Sequence, residues 1–183
     1  MEPINENSAC FFTQQLFLIG TYDPDGASRF APYSWISFTA GPPKCLVLST
    51  NNNERKKNTP QNIERTGMFS ATVVTPDLLP FAEQRNLATS GSVMPASHAM
   101  EEGKTLHVPL LAGVKWSYEC EVIEHVTIGG SDTYFGAFRR VNVREDIQTL
   151  DFIDIREINP VVYAPWHYFT IGQHLGEIGD FSL

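Results

Sequence analysis

A run of basic residues directly before a predicted helix is the part of the sequence best suited to bind an anion. Three of the 13 lysine and arginine residues are consecutive, at Arg55, Lys56 and Lys57, in a chain with an acidic excess. The helix N-terminus that follows presents unpaired N–H groups and the positive end of the helix dipole. Lys57 adds a positive charge and Thr59 a hydroxyl donor, so this turn could hold one phosphate group. The alternative is a solvated basic turn in which Thr59 only caps the helix.

A second segment, residues 29–39 (RFAPYSWISFT), places two aromatic side chains around a serine. Its aromatic and β-branched residues predict a strand. Tyr33 and Trp35 on either side of Ser34 would offer a flat apolar wall with hydroxyl and backbone donors at its edge, which suits a planar heterocycle. The alternative is an aromatic strand that fills the core of a barrel.

Other common catalytic patterns are missing from the sequence. The histidines are His98, His107, His125, His167 and His174. None has an HxH, HExxH or Cys/His spacing, so no metal site is predicted. His167, between Trp166 and Tyr168, is a candidate catalytic residue if it lines a pocket; otherwise it is a histidine packed in the core. Neither a G-x-S-x-G elbow nor a G-x-G-x-x-G turn after a strand occurs, which argues against a serine hydrolase and a Rossmann nicotinamide site.

The composition is that of an ordinary globular protein. The chain has 183 residues, of which 42% are hydrophobic and 19% charged. This length predicts a single domain over residues 1–183, with residues 1–10 as a mobile N-terminus. The formal net charge is −8, which argues against a nucleic-acid or anionic-membrane surface, because backbone phosphates need a basic face.

The cysteines and the N-terminus predict a cytoplasmic protein. Cys10, Cys45 and Cys120 are widely spaced and form no CxxC pair, so we expect reduced and mostly buried thiols. Residues 1–10 lack a basic n-region, and no signal peptide is predicted. No run approaches the roughly 18 apolar residues that a membrane-spanning helix needs.

Turn residues and hydrophobic periodicity divide the chain into short strands and few helices. Strands are predicted at residues 16–22, 29–39, 44–50, 68–75, 114–127, 133–143 and 161–172, with turns at 23–26 and 129–132. Helices are predicted at 60–66, with Thr59 as cap and Gly67 as left-handed exit, and at 76–87. Residues 88–104 are predicted as a functional or mobile loop, and a phase slip at Val122-Ile123 predicts a β-bulge. Short connections between six or seven strands favour a mainly β, antiparallel barrel with a few short helices.

Three segments, in this order, resemble the flavin reductase-like family of FMN-binding split-barrel proteins. They are APYSWIS at 31–37, GPPKCLVLST at 41–50 and KNTPQNIERTGMFSATVVT at 57–75. In that family a PYS-type strand, a Pro-Pro turn and a strand ending in a small hydroxyl residue precede a K-D-T-x-x-N-I segment and a G-x-F-V-V-N strand. Here Asn58 replaces the aspartate, and Thr72 replaces the asparagine of the last strand. The resemblance covers residues 12–170.

The resemblance implies a Greek-key type split β-barrel that forms a homodimer and binds FMN at the subunit interface. By resemblance, the isoalloxazine ring is lined by Tyr33, Ser34 and Trp35; the ribityl chain lies over Ser49, Thr50 and Asn51; the phosphate is held by Lys57, Thr59 and Asn62; and the segment near Thr89 and Ser90 closes over the flavin. Residues 92–104 depart from the short acidic-aromatic loop that family members usually carry at the place that governs substrate access and nicotinamide docking.

The implied function is that of an FMN-dependent oxidoreductase in which NAD(P)H gives a hydride to the flavin. The flavin carries this chemistry, while the protein binds, orients and tunes it. One alternative is a non-catalytic FMN-binding or electron-carrier protein on the same barrel, and another is a partner-binding barrel without cofactor. The partners expected are flavin, NAD(P)H as reductant and a second copy of the chain, with neither nucleic acid nor membrane.

Overall fold

The computed structural model describes residues 13–51, 58–87, 99–148, 153–164, 166–176 and 180. The strands in these ranges are β1 (Gln14–Gln15), β2 (Phe17–Tyr22), β3 (Ser28–Tyr33), β4 (Ile36–Phe38), β5 (Cys45–Asn51), β6 (Met68–Val73), β7 (Met100–Glu102), β8 (Pro109–Leu111), β9 (Trp116–Ile128), β10 (Ser131–Val143), β11 (Val161–Ala164) and β12 (His167–Thr170). The helices are α1 (Asn58–Thr66), α2 (Leu79–Leu87), α3 (Glu145–Gln148) and α4 (Ile155–Ile158). The mainly β prediction with a few short helices is confirmed.

The main sheet is a curled, antiparallel half-barrel of seven strands. Its order is β3-β2-β6-β9-β10-β5-β4, and all its pairings are antiparallel. The two edge strands, β3 and β4, are consecutive in the sequence and separated only by Ser34 and Trp35. The chain therefore passes from one edge of the sheet to the other within two residues, which requires the sheet to curl until its edges approach.

This edge-to-edge crossing corrects the prediction of a single strand over residues 29–39. β3 pairs with β2 up to Tyr33, whereas β4 pairs with β5 from Ile36 onward. The aromatic and β-branched residues continue through the crossing without a glycine or proline at the break, so the local pattern is the same as that of one strand. The strand predicted at 161–172 is also wrong, because β11 and β12 form a hairpin there.

The longest hairpin, β9–β10, confirms the bulge predicted at Val122-Ile123. Phe135 pairs with Glu124 and Gly136 pairs with Val122, so Ile123 has no partner in the register. Gly136 lies where β10 crosses the core: a Cβ at this position would meet Phe69 Cζ at 2.5 Å. The predicted turn is also present, with Gly129 at φ 55°.

The core lies inside the curled sheet and extends to a second cluster beneath α2. Phe17, Leu46, Leu48 and Phe69 are almost completely buried in the first cluster. Leu18, Phe30, Leu78 and Phe81 form part of the second. Strand β2 contributes to both clusters and is buried on both faces, since successive side chains of a strand point to opposite sides of the sheet.

Two smaller sheets complete the described architecture. Strand β11 lies between β1 and β12 in a three-stranded sheet, and β7 pairs with β8. Because β7 covers residues 100–102, the prediction that 88–104 is entirely irregular is wrong in its last part; residues 88–98 lie outside the described ranges. None of the described helices is long and apolar enough to cross a lipid bilayer.

The two longer helices lie close to their predicted positions. Helix α1 begins at Asn58 rather than Pro60, so Thr59 lies within it, and it ends before Gly67 at φ 69°, as predicted. Helix α2 begins at Leu79, because a turn that closes on the carbonyl of Thr75 precedes it. Cys45 and Cys120 are buried free thiols, and burial raises the pKa of Cys120 well above its usual value; Cys10 lies outside the described residues.

Candidate functional site

A cavity of about 310 Å³ lies where the two edges of the main sheet approach each other. The crossing between β3 and β4 forms one wall, and the C-terminal end of β5 forms another. Its lining residues are Leu16, Pro32, Tyr33, Ser34, Trp35, Ser49, Thr50, Asn51, Tyr163 and Tyr168. The volume is within the range typical of small-molecule sites. The structure therefore brings together all six residues that the sequence predicted for the flavin ring and the ribityl chain.

A backbone contact explains why these two segments are neighbours. The Ser49 N–H donates to the carbonyl oxygen of Trp35 at 2.9 Å, and Ile36 pairs with Leu48 in the adjoining ladder. The crossing is thus fixed against β5 by main-chain hydrogen bonds. This arrangement places Ser34 and Ser49 in the same wall as Trp35, whereas the Thr50 hydroxyl donates to the carbonyl oxygen of Asp132 at 3.4 Å.

A second cavity adjoins the first and shares part of its wall. It has a volume of about 490 Å³ and is lined by Trp35, Ser49, Thr50, Asn51, Gly130 and Ser131. Since Gly130 belongs to the turn between β9 and β10, this cavity lies between the end of β5 and the tip of that hairpin. Trp35 is 42% exposed and lines both cavities, so an apolar ring is open to ligands on a surface that is otherwise rich in hydroxyl and amide groups.

The buried Tyr33 connects the cavity to α1. Burial raises the pKa of Tyr33, and the nearby Thr59 hydroxyl partly offsets the rise. Tyr33 is therefore a neutral phenol at physiological pH. Thr59, although predicted to bind phosphate, is itself only 4% exposed.

The predicted phosphate-binding residues do not all lie together in the described structure. Asn62 is buried on α1, and its Nδ2 donates to Thr21 Oγ1 at 3.0 Å, which ties α1 to β2. Neither Thr59 nor Asn62 lines the two cavities. Lys57 lies outside the described residues, as do Thr89 and Ser90. The assignment of these five residues to the flavin stays a prediction.

Sequence reasoning missed the two tyrosines of the β11–β12 hairpin. Tyr163 and Tyr168 are directly paired across the hairpin, and both line the first cavity. The signal was present in the aromatic segment that also holds His167, but the prediction selected the histidine. His167 is exposed, so the packed-core interpretation is wrong, and it lines neither cavity, because adjacent residues of a strand point to opposite faces.

Both of these tyrosine hydroxyls have a described hydrogen-bond partner. Tyr163 accepts from the backbone N–H of Trp166 at 3.3 Å, and Tyr168 donates to Glu83 Oε1 of α2 at 3.1 Å. Burial and the Glu83 carboxylate raise the pKa of Tyr168 to about 12, so this phenol stays protonated and continues to donate. The ring centroids of the two tyrosines are 5.8 Å apart.

A separate cluster joins one histidine and two carboxylates outside the cavities. Donor atoms of Glu64, His125 and Asp132 lie within 4.8 Å of one another. His125 Nε2 is 3.2 Å from Asp132 Oδ1, and its ring stacks on Tyr134 with centroids 4.5 Å apart. These residues come from α1, β9 and β10, and their sequence spacing gives no sign of their proximity. The prediction that the protein has no metal site stays a prediction.

Comparison with known proteins identifies the family and the fold. Residues 9–172 match the family model described as flavin reductase like domain. Flavoredoxin from Methanosarcina acetivorans is similar in structure with a TM-score of 0.84 and 19% identity, over 99% of this chain and 96% of that one. Flavoredoxin from Desulfovibrio vulgaris (Miyazaki F) gives 0.82 and 19%, over 99% of both chains.

A third structure shares the split-barrel architecture. The protein from Shewanella frigidimarina, assigned as a flavin reductase with a split barrel domain, has a TM-score of 0.76 and 21% identity, over 90% of this chain and 85% of that one. The fold of this chain, with its curled sheet, is therefore a split barrel. Because the family match covers most of its length, this chain belongs to the flavin reductase-like family.

Proposed function

We propose that this protein binds FMN in the cavity at the β3–β4 crossing and acts as an NAD(P)H-dependent flavin oxidoreductase. The observation that carries the proposal is the convergence of Tyr33, Ser34 and Trp35 with residues 49–51 on one cavity. An aromatic ring beside several hydroxyl and amide groups fits a cofactor that has a planar ring and a polyhydroxy chain. Family membership gives independent support.

Different residues are proposed to bind the ring, the ribityl chain and the phosphate of FMN. Trp35 offers an apolar surface for the isoalloxazine ring, and the Ser34 hydroxyl lies at the edge of that surface. Residues 49–51 offer hydroxyl and amide groups to the ribityl chain. Lys57, Thr59 and Asn62 are proposed to hold the phosphate, with the segment at Thr89 and Ser90 closing over the flavin. The described lining residues include no acidic, basic or histidine side chain.

The chemistry follows from this distribution of groups. When bound, FMN supplies the hydride-accepting centre. The described walls supply orientation and exclude water on one side of the ring, and they offer hydrogen-bond donors to the ring's polar edge. His167 was predicted as a catalytic candidate, but its exposed position outside the lining leaves no direct contact with this cavity, and we propose no catalytic role for it.

A second copy of the chain is proposed to complete the site. Val126 and Ile128 are exposed apolar side chains on β9, and Ile128 pairs with Ser131, which lines the second cavity. Exposed apolar surface of this kind is typical of a protein–protein contact. A homodimer that buries this surface would also cover the second cavity.

The alternative function is a non-catalytic flavin carrier on the same barrel. The lack of a carboxylate, basic or histidine side chain among the described lining residues is compatible with it. A carrier and a reductase would bind FMN through the same walls, so only reactivity separates them. A partner-binding barrel without cofactor would bind no flavin.

Two measurements on the purified protein test the proposal. Addition of FMN followed by gel filtration should leave a flavin absorbance band with the protein. Rapid mixing of this complex with NADH, and separately with NADPH, should bleach that band with at least one of the two nucleotides. A coloured protein that neither nucleotide bleaches would be a carrier, and a colourless protein would contradict flavin binding altogether.

A further inference from the structure

We propose that Tyr168, held in place by Glu83, is a further binding residue that contacts the ring of the bound flavin. This inference rests on the proposed flavin site and assigns one more contact residue to it. Tyr168 lines the cavity together with Trp35 and Tyr33. Tyr168 belongs to β12, a strand of the three-stranded sheet rather than of the main half-barrel.

The Tyr168 hydroxyl is hydrogen-bonded to a residue of helix α2. It donates to Glu83 Oε1 at 3.1 Å, and Glu83 belongs to α2, which packs its buried residue Phe81 against Phe30 of β3. The ring is therefore tied to a helix that is itself attached to the strand that leads into the β3–β4 crossing. A ring fixed at both its strand and its hydroxyl offers a defined surface at small entropic cost on binding.

The neighbouring tyrosine limits where the Tyr168 ring can move. Tyr163 lies directly across the hairpin, with its ring centroid 5.8 Å from that of Tyr168 and the planes tilted by 53°. The Tyr163 hydroxyl accepts from the N–H of Trp166, which fixes this second ring through the hairpin turn. The two rings form an aromatic wall in the same cavity as Trp35, a composition that favours a planar, apolar ligand over a sugar or a phosphate.

The test uses riboflavin and FMN titrations together with the fluorescence of the bound flavin. Tyr168→Ala should raise the Kd for both flavins by roughly 2- to 10-fold, the range expected for loss of one aromatic contact. The two flavins should be affected equally, because the contact is with the ring and not with the phosphate. The fluorescence of the bound flavin should also change, since an aromatic ring beside it has been removed.

The role of Glu83 as a positioning residue needs its own variants. Glu83→Ala and Tyr168→Phe should each change the bound-flavin fluorescence in the same direction, and the double variant should change it no further than either single one. Glu83→Gln keeps an oxygen that accepts from the phenol and should restore the wild-type signal. Gln84→Ala, at an exposed position on the same helix, is the matched control and should equal the wild type.

The outcomes separate this inference from the proposed function. If the wild type binds no flavin, the proposed function fails. If the wild type binds flavin but Tyr168→Ala matches it in Kd and in fluorescence, the contact of Tyr168 with the ring is wrong while the flavin site stands. If Glu83→Ala behaves like Gln84→Ala in both readouts, Glu83 does not position Tyr168. Thermal unfolding of every variant identifies any that is merely unfolded.

Discussion

At the scale of single residues, side-chain types indicate which chemistry the site could support. Which residues form the site is decided by the contacts in the folded structure. Tyr33, Ser34 and Trp35 were identifiable from their types and order, because two aromatics around a serine suit a planar ring. Tyr168 was not, since nothing in the local pattern distinguishes a cavity-facing tyrosine from its exposed neighbour His167. Only the register of the hairpin, which opposes Tyr168 to Tyr163, decides between them.

The phosphate contacts can be tested at this same scale. The double variant Lys57→Ala/Thr59→Ala should weaken FMN binding by about two to four decades, because two charge-assisted hydrogen bonds contribute roughly 1.5–3 kcal/mol each if they act independently. Riboflavin lacks the phosphate and should bind the variant as well as it binds the wild type. Equal FMN affinities for the variant and the wild type would remove both residues from the site.

At the scale of elements, strands were easier to predict than the places where they end. The hairpin β9–β10 and its bulge at Ile123 were predicted because glycines and a phase slip mark them in the sequence. The break at Ser34 carries no such mark, since β3 and β4 differ in their partners and not in their residue types. The pairing of β7 with β8 was missed because its strands are only three residues long, too short to show a period.

One buried carboxylate holds an irregular segment of this fold in place. Glu119 of β9 is completely buried and accepts hydrogen bonds from the backbone N–H groups of Lys104, Thr105 and Leu106 and from Asn142 Nδ2. Burial alone would raise the pKa of Glu119, but these hydrogen bonds outweigh it and hold the pKa below its usual value. The charged form is thus the one that stabilises the segment between β7 and β8.

Glu119→Gln should lower the free energy of unfolding at pH 7 by about 2–4 kcal/mol, because the amide turns a donor toward backbone N–H groups and leaves them unpaired. A depressed folded-state pKa means that the stabilisation is present above the unfolded value of about 4.3 and is lost as the pH falls toward the folded value. The difference in the free energy of unfolding between the variant and the wild type should therefore become smaller below about pH 4. Urea denaturation at several pH values measures it.

The matched control lies two residues along the same strand. Glu121 is half-exposed and pairs with Arg139 at 2.6 Å, and Glu121→Gln should cost at most about 1 kcal/mol, as exposed ion pairs do. If both variants lose the same free energy of unfolding at pH 7, the buried hydrogen bonds of Glu119 stabilise the protein no more than the exposed ion pair of Glu121 does.

At the scale of the whole molecule, the site exists because the sheet curls until its two edges meet. The cavity residues come from β3, the β3–β4 crossing and β5 of the main sheet, and from the β11–β12 hairpin, which belongs to a different sheet. Sequence periodicity predicts an antiparallel barrel, but it does not fix strand order, because every antiparallel strand carries a similar alternation. The family resemblance predicted the split barrel, and the structural similarity to a protein with a split barrel domain confirms it.

A crystal structure of the protein grown with saturating FMN examines the flavin site directly. We predict that the isoalloxazine ring lies against Trp35 in the cavity at the β3–β4 crossing, with the ribityl chain along residues 49–51. FMN density at another place, or an empty cavity in well-ordered crystals, would contradict the account.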